Sequence, residues 1–417
     1  MNFIYLDPGL INFAGHHAAF CRNLVNALDR RGHTASIYSN VAVAKNVQHE
    51  LKAMPLFRAN PYNQYVPQYE TAPDPICGWL KSFEVVWQST AQDLGQLRLP
   101  TQDDVIYWNS AFPAQLTALA HWLGSLPEDR RPHAVVELNL DSGVIDDGKG
   151  GFELPNPQVN EKPLLWRYAG MLLSDPKIRN RIKLINFESS TVPGYEYLLR
   201  EPVEAWNPPF CASANVESRV GKQGFAIGIL GYQREEKGFT LVPELAKRLL
   251  SERQDIALLV HNAEPAFMWR TQSELREIAA RESRLVLIEG AIPDRWMETV
   301  NSCDLIVCPY DPAAFKTRCS GMLNESLANG IPVIVPANTS LARVFEEFGA
   351  PGAVFEKWTV ESIAASVFSV LNNYDEHAQR AFEAAEKWEK EYSVEGLASN
   401  ILGWIEEARK QHAFAGI

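Results

Sequence analysis

One stretch of the chain combines residue types that bind a phosphate group and a pair of neighbouring hydroxyl groups. Arg318, Ser320 and Gly321 fall where the pattern predicts the start of a helix. Free backbone amides, the positive end of the helix dipole and a guanidinium converge on an anion held at such a place. Glu325 follows one helical turn after Gly321, and a carboxylate there is able to bind a vicinal diol, as acidic residues bind a ribose. The stretch predicts an anion and sugar site.

A charged loop that follows the predicted strand 225–230 offers a second group of phosphate ligands. Such loops lie at the carboxyl edge of an open α/β sheet, where ligands bind. Arg234 and Lys237 are therefore candidates to clamp a diphosphate, although a charged turn that only caps the strand has the same composition. Gly290 and Ile292 close another strand at the same edge, where the glycine either lets a flat base approach the backbone or simply forms a turn.

Polar residues also follow two predicted strands in the first half of the chain. Gly15 permits close approach of a ligand, and His17 begins a helix, where it is able to donate a hydrogen bond or move a proton. Histidines in such caps are also commonly structural. Asn139 and Asp141 follow the strand that ends near Leu138 and either line a site or form a helix cap or turn. His17 and Asp141 are thus the candidate proton acceptors of the first half.

The elements that position these residues alternate between strand and helix in two series, which favours parallel sheets. Apolar runs predict strands in the first series at 3–6, 34–38, 104–108, 134–138 and 183–187. They predict strands in the second series at 225–230, 256–260, 285–288, 304–307 and 332–335. Helical spacing is found at 17–31, 239–252, 271–282, 294–302 and 320–329. Residues 55–67 are rich in proline and aromatic side chains and predict an elaborated surface segment without a regular element.

The length of 417 residues exceeds what a single core usually supports, so two domains are expected. We expect a first domain at 1–205, a linker at 206–224 and a second domain at 225–390. The helical tail that ends the chain carries an apolar stripe that needs a partner surface.

Composition excludes several classes of function. The chain has 39 Lys and Arg against 51 Asp and Glu, a net charge of −12, which argues against a nucleic-acid-binding protein. Its six cysteines show no metal-ligand or CxxC spacing, so reduced thiols are expected. No apolar run approaches the roughly 20 residues of a membrane span, and no secretion signal is evident. These features predict a soluble cytoplasmic protein without a transmembrane segment.

The loop 231–238 and the stretch Ser320–Val335 resemble those of B-type glycosyltransferases related to family 4. The resemblance covers most of residues 225–336, and in the first half only the loop Phe13–His17, the following helix and Arg31–His33. It implies a GT-B fold, in which two Rossmann-like doubly wound parallel-sheet domains face a cleft. It also implies that the C-terminal helix at 391–417 crosses back and packs on the first domain.

The resemblance implies an enzyme that transfers a sugar from a nucleotide-diphosphate sugar to the hydroxyl of a glycan, a lipid-linked or a small-molecule acceptor. The anomeric configuration of the transferred sugar would be retained, and the reaction would need neither a metal nor another cofactor. Lys237 and a neighbouring arginine would stabilise the departing diphosphate and Glu325 would hold the ribose, whereas an inverting reaction would use Asp141 or His17 as base. The donor site would comprise Gly15, Arg234, Lys237, Gly290, Ile292, Arg318, Ser320, Gly321 and Glu325.

The sequence departs from the family pattern at two positions. Thr317 stands where family members commonly carry a glutamate that contacts the transferred sugar, and Tyr232 stands where an arginine is often found. Arg234 or Arg318 is expected to supply the missing positive charge. Two alternatives stay open, a glycosyltransferase-like protein that binds a nucleotide sugar without turnover and another two-Rossmann enzyme such as an epimerase or a phosphorylase. The absence of a GxGxxG motif after Leu6 disfavours nicotinamide chemistry.

Overall fold

The computed structural model describes residues 1–13, 16–62, 75–139, 141–210, 216–262, 268–290, 292 and 295–415. The chain forms two compact units. The first consists of Met1–Pro208 together with Val394–Ile417, and the second of Pro209–Ser393. Among the described residues no helix is both long and apolar enough to span a bilayer.

The first unit is built on a seven-stranded parallel sheet with the strand order β3-β2-β1-β4-β5-β8-β9. The strands of this unit are β1 (Asn2–Asp7), β2 (Thr34–Asn40), β3 (Met54–Phe57), β4 (Asp104–Ala111), β5 (His133–Leu138), β6 (Ile145–Asp146), β7 (Phe152–Glu153), β8 (Ile182–Asn186) and β9 (Val203–Ala205). The short strands β6 and β7 form a separate antiparallel pair. Along β1 every side chain from Phe3 to Asp7 is buried, as expected for a parallel strand with both faces covered.

Helices cover both faces of this sheet. They are α1 (His17–Arg30), α2 (Lys45–Leu51), α3 (Pro75–Leu94), α4 (Pro113–Ser125), α5 (Lys162–Leu173), α6 (Val192–Leu199) and α14 (Val394–Ala415). Helix α14 packs against α1, where Leu397 and Ile401 join a buried cluster with Leu24. Arg30 and Arg31 both donate to the Glu395 carboxylate at the start of α14. The last helix of the chain therefore completes the first unit.

The second unit contains a six-stranded parallel sheet with the order β12-β11-β10-β13-β14-β15. Its strands are β10 (Phe225–Ile229), β11 (Ile256–Asn262), β12 (Leu285–Glu289), β13 (Leu305–Val307), β14 (Val333–Pro336) and β15 (Gly352–Phe355). Its helices are α7 (Val242–Glu252), α8 (Trp269–Ala279), α9 (Trp296–Asn301), α10 (Gly321–Ala328), α11 (Ser340–Glu347), α12 (Val360–Asn372) and α13 (Tyr374–Glu391). The prediction of two doubly wound parallel-sheet α/β units is thereby confirmed.

One prediction about the first unit is wrong in part. The stretch 55–67 was expected to lack regular structure, yet its first residues belong to β3 at the edge of the sheet. Leu56 and Phe57 are buried there, and an edge strand tolerates Pro55 because the outer side of the strand needs no backbone N–H donor. Residues 63–67 of this stretch, and residues 211–215 of the predicted linker, lie outside the described part of the chain.

Candidate functional site

Each sheet reverses its strand order at one place, and ligands of open α/β sheets bind outside the carboxyl ends of the strands at that place. In the first unit the reversal falls between β1 and β4, and in the second between β10 and β13. Asp7 ends β1, whereas the loop that begins at Gly231 follows β10. Most of the residues singled out from the sequence lie at these two edges.

The loop after β10 turns sharply and brings Lys237 back to the sheet edge. Gly231 and Gly238 have φ of 99° and 72°, in the region that favours glycine. At Gly238 a Cβ would lie 1.9 Å from the carbonyl oxygen of Pro309, so the turn packs directly on the segment after β13. The half-buried Lys237 Nζ lies 5.5 Å from the centre of the Tyr310 ring. Two glycines thus allow a positively charged group to sit at the switch point.

Helix α10 presents Glu325 to the same region. Its carboxylate Oε2 accepts a hydrogen bond from the indole Nε1 of Trp296 at 3.0 Å. Burial raises the pKa of Glu325 to about 7, while the Trp296 hydrogen bond and the charge of Lys237 act in the opposite direction. Burial lowers the pKa of Lys237, which Glu325 in turn raises. The structure therefore brings Lys237 and Glu325 within electrostatic reach of each other, as a phosphate and ribose site requires.

Ser320 lies at the start of α10, as the sequence predicted. Its hydroxyl accepts the backbone N–H of Leu323 at 3.3 Å and so caps the helix, and it also hydrogen-bonds the buried Tyr310 hydroxyl. These contacts occupy the Ser320 side chain. Gly321 is the first helical residue, and a Cβ on it would lie 3.3 Å from the ring of Phe210. The first turn of the helix still offers backbone amides to an anion.

Two arginines near this edge are exposed. The Arg234 guanidinium lies over the Tyr232 ring at 5.4 Å and forms a loose ion pair with Glu236 at 3.7 Å. Arg318 precedes α10, and its guanidinium has no hydrogen-bond or ion-pair partner within the described ranges. Burial and then the charge of Arg234 lower the pKa of Lys237, so Arg234 adds positive charge beside it. The half-buried Thr317 is adjacent to Arg318.

Gly290 and Ile292 follow β12 at the same edge of the sheet. Gly290 has φ of 70°, and open space surrounds the position that a Cβ would take. Its carbonyl oxygen lies 2.7 Å from Nε2 of His261, a residue near the end of β11. Ile292 is half-buried. A polar residue near the end of a predicted strand was a usable signal for His261, whereas Trp296 is the apolar first residue of α9 and gave no such signal.

In the first unit the structure links His17 through Tyr62 to Asn139, which the sequence singled out. It also brings His17 to Asp7, which the sequence did not single out. Its Nδ1 lies 2.8 and 3.0 Å from the two carboxylate oxygens of Asp7, which also accepts from Asn109 Nδ2 at 3.0 Å. Its Nε2 lies 2.8 Å from the Tyr62 hydroxyl, which accepts from Asn139 Nδ2 at 3.2 Å. Gly9 makes room for this arrangement, because a Cβ there would lie 2.4 Å from the imidazole. Asp7 could have been found from the sequence, because it lies at the end of the strand β1.

Two further carboxyl groups lie in the first unit. Glu137 on β5 is 6% exposed, and burial raises its pKa to about 8. Its Oε2 accepts the backbone N–H of Ser110 at 2.5 Å. Asp141 is half-buried beyond β5, and its charge contributes to the raised pKa of Tyr195, which arises mainly from burial. Gly15 lies outside the described residues.

No cluster of three or more potential metal-ligating side chains occurs in the portion of the chain that the structure describes. No protein-family model matches the sequence. No curated protein matches it with significant sequence similarity either.

Solved structures nevertheless match the chain over nearly its whole length. HepE from Anabaena in complex with UDP-glucose has a TM-score of 0.61 and 14% identity, covering 98% of this chain and 100% of that chain. Sucrose-phosphate synthase from Thermosynechococcus elongatus has a TM-score of 0.61 and 12% identity, and both chains are covered completely. WaaG, a glycosyltransferase involved in lipopolysaccharide biosynthesis, has a TM-score of 0.57 and 13% identity, covering 96% and 100%.

These neighbours are GT-B glycosyltransferases, and the chain accordingly has the GT-B fold. Identities of 12–14% establish the fold alone.

Proposed function

We propose that the chain is a glycosyltransferase related to family 4, which moves a sugar from a nucleotide-diphosphate sugar to an acceptor hydroxyl. The observation that carries the proposal is the placement of Lys237 and Glu325 at the carboxyl edge of the second sheet. Lys237 Nζ lies beside the Gly231 turn at the switch point, and the Glu325 carboxylate, which accepts from Trp296 at 3.0 Å, projects from the first turns of α10. A cation in this place is suited to bind a diphosphate, and a carboxylate beside it is suited to bind the hydroxyl groups of a ribose. The likeness to HepE structures that contain UDP or UDP-glucose supports a donor of this class.

The proposed reaction breaks the bond between the anomeric carbon of the donor sugar and the diphosphate oxygen. Negative charge that develops on the departing diphosphate is stabilised by Lys237, by Arg234 or Arg318 and by the amides at Gly321. These groups supply the positive charge that a metal ion would otherwise provide to the diphosphate, so we propose a metal-independent reaction. Transfer that survives addition of a chelator supports this part of the proposal, and transfer that is lost and then restored by a divalent cation contradicts it.

We propose that the anomeric configuration is retained, with the leaving phosphate accepting the proton of the attacking hydroxyl on the same face of the sugar. The buried pair of His17 and Asp7 favours a second possibility, inversion. In that case Asp7 orients the ring through Nδ1, and Nε2 is the base that removes the acceptor proton. Proton NMR of the first-formed product distinguishes the two outcomes, because the coupling at the anomeric position reports its configuration.

Thermal-shift measurements with UDP, ADP, GDP and their sugar conjugates test donor binding, because a ligand that binds only the folded state raises the melting temperature. We expect one nucleoside diphosphate to stabilise the protein. Turnover is then tested by following the release of the nucleotide from its sugar conjugate, which is expected to be slow without an acceptor. Tight binding without any release would favour the alternative of a non-catalytic binding protein, which the structural neighbours do not favour.

The remaining features of the proposal concern the partners. The acceptor is a glycan, a lipid-linked or a small-molecule hydroxyl compound bound by the first unit, and the protein acts in the cytoplasm. A net charge of −12 supports the absence of nucleic acid among its partners. Fractionation of cells, with the activity followed between the cytosolic and membrane fractions, tests the proposed location.

A further inference from the structure

His261 contacts two loops of the second unit through the two nitrogen atoms of its ring. The residue is 6% exposed. Its Nδ1 lies 3.0 Å from the carbonyl oxygen of Gly231, and its Nε2 lies 2.7 Å from the carbonyl oxygen of Gly290. These glycines follow β10 and β12, the two strands that flank β11. One imidazole therefore bridges both loops of the proposed donor edge.

Both partners of His261 are hydrogen-bond acceptors. A neutral imidazole has a single N–H group, so a neutral ring donates to one carbonyl oxygen and turns a lone pair towards the other. Only the imidazolium form donates to both. The shorter distance to Gly290 favours that hydrogen bond in the neutral ring, which leaves the loop at Gly231 without a donor from His261.

The surroundings oppose a positive charge on His261 in the free protein. Burial lowers the pKa of His261 most and the charge of Lys237 lowers it further, whereas the two carbonyl oxygens raise it. The Trp296 ring, which packs against the imidazole at 5.6 Å, links it to Glu325. On the β12 side Glu289 is neutralised by Arg276. An anion placed beside Lys237 would remove much of the repulsion.

We infer that His261 is a positioning residue of the donor site, which takes up a proton when a nucleoside diphosphate binds beside Lys237 and then holds the Gly231 loop in place. The inference rests on the proposed function. The diphosphate charge offsets that of Lys237, a proton from solvent converts the ring to imidazolium, and the second hydrogen bond forms. Proton uptake by His261 and nucleotide binding are linked, so the contribution of His261 to affinity increases as pH falls towards the range where histidine titrates.

Titration calorimetry of the full chain with UDP tests the inference. The heat of binding near pH 6.5 is measured in two buffers that differ in ionisation enthalpy, which gives the number of protons taken up. We expect His261→Gln, which keeps one N–H donor and does not titrate, to take up fewer protons than the wild type. UDP should bind the variant about tenfold more weakly near pH 6, and within about threefold of wild type near pH 8.

Two controls separate His261 from other groups. His49→Gln replaces an exposed histidine on α2 and should leave proton uptake unchanged. Glu325→Gln removes a carboxyl group at this edge whose pKa is about 7, and which gives up its proton when it accepts from the ribose, so this variant should take up more protons than the wild type. Equal proton uptake by the wild type and His261→Gln would overturn the inference.

A third measurement does not depend on the folding of a variant. In wild-type protein labelled with ¹⁵N-histidine, addition of UDP near pH 6.5 should convert one imidazole from the neutral to the doubly protonated form. If no ring changes while UDP binds, the inference is wrong and the proposed function stands. If UDP, ADP and GDP all fail to bind the wild type, the donor site itself is wrong.

Discussion

The Nδ1 atom of His17 lies 2.8 Å from the Oδ1 atom of Asp7, and the two residues are 7% and 0% exposed. Because a carboxylate accepts hydrogen bonds, it places the ring proton on Nδ1 and leaves the lone pair on Nε2. That lone pair receives the Tyr62 hydroxyl at 2.8 Å. A substrate hydroxyl in the place of the phenol would therefore meet a base whose orientation is already set.

Asp7→Asn tests whether this pair acts on the acceptor. The substitution keeps the shape of the side chain but removes the charge that fixes the ring proton on Nδ1. If the reaction inverts with His17 as base, kcat for transfer falls roughly 10- to 100-fold, whereas under retention kcat changes little; UDP affinity stays unchanged in both cases because the donor binds the other unit. Asp103→Asn, at a side chain that is 92% exposed, is the matched control. Unchanged kcat in a folded Asp7→Asn protein would assign the pair a structural role.

Lys237→Met tests the diphosphate site. The change removes the charge and keeps most of the apolar stem, so UDP affinity should fall roughly 10- to 100-fold, while the weaker affinity for uridine should change little. Calorimetry with both ligands measures the two effects. Lys247→Met removes an exposed lysine on α7 that pairs with Glu274, and it should bind UDP as the wild type does. Equal losses of UDP and uridine affinity would contradict a contact with phosphate.

Glu325 should give the enzyme a preference for ribose that depends on pH. Its pKa of about 7 in the free protein means that the carboxylate, which accepts from both ribose hydroxyls, forms fully only above neutrality. The wild type should bind UDP about tenfold more tightly than 2′-deoxy-UDP near pH 8, and this ratio should decrease as pH falls below 7. Glu325→Gln should show a small ratio at every pH. A ratio that is independent of pH in the wild type would place the diol elsewhere.

Glu137 should make the first unit less stable as pH rises. Its pKa is about 8 in the folded protein and near 4.5 when unfolded, so the folded state binds the proton more tightly. The stability this provides is complete below the unfolded pKa and is lost as pH rises through the folded pKa. Between about pH 5 and pH 8 the loss is roughly 3 kcal/mol. Glu137→Gln should remove this dependence in urea unfolding, and equal pH profiles of the two proteins would contradict the buried acid.

Strand positions followed from apolar runs, because the central residues of β1 and all residues of β10 are apolar and most of them are buried. The position of Lys237 at the carboxyl edge of the second sheet was predicted because its loop follows a predicted strand. Contacts between distant segments did not follow from the sequence, since Tyr62 and His17 are 45 positions apart in the chain and meet only in the folded structure. Ser320 lies at the helix start that the sequence predicted, but the contact of its hydroxyl with Tyr310 joins separate segments and is not revealed by the sequence pattern.

The turn at Gly238 should tolerate a side chain far less well than a turn with the same backbone conformation elsewhere. Gly238 and Gly32 have φ of 72° and 76°, so alanine at either position costs about 1 kcal/mol of backbone strain. At Gly32 nothing lies within 4 Å of the new Cβ, whereas at Gly238 the Pro309 carbonyl oxygen lies 1.9 Å away. Gly238→Ala should therefore lose about 3 kcal/mol or more in urea unfolding and should also weaken UDP binding, because relief of the clash displaces Lys237. Gly32→Ala should lose only the strain and bind UDP normally, and equal losses in the two variants would show that the Gly238 turn moves away from Pro309 at little cost.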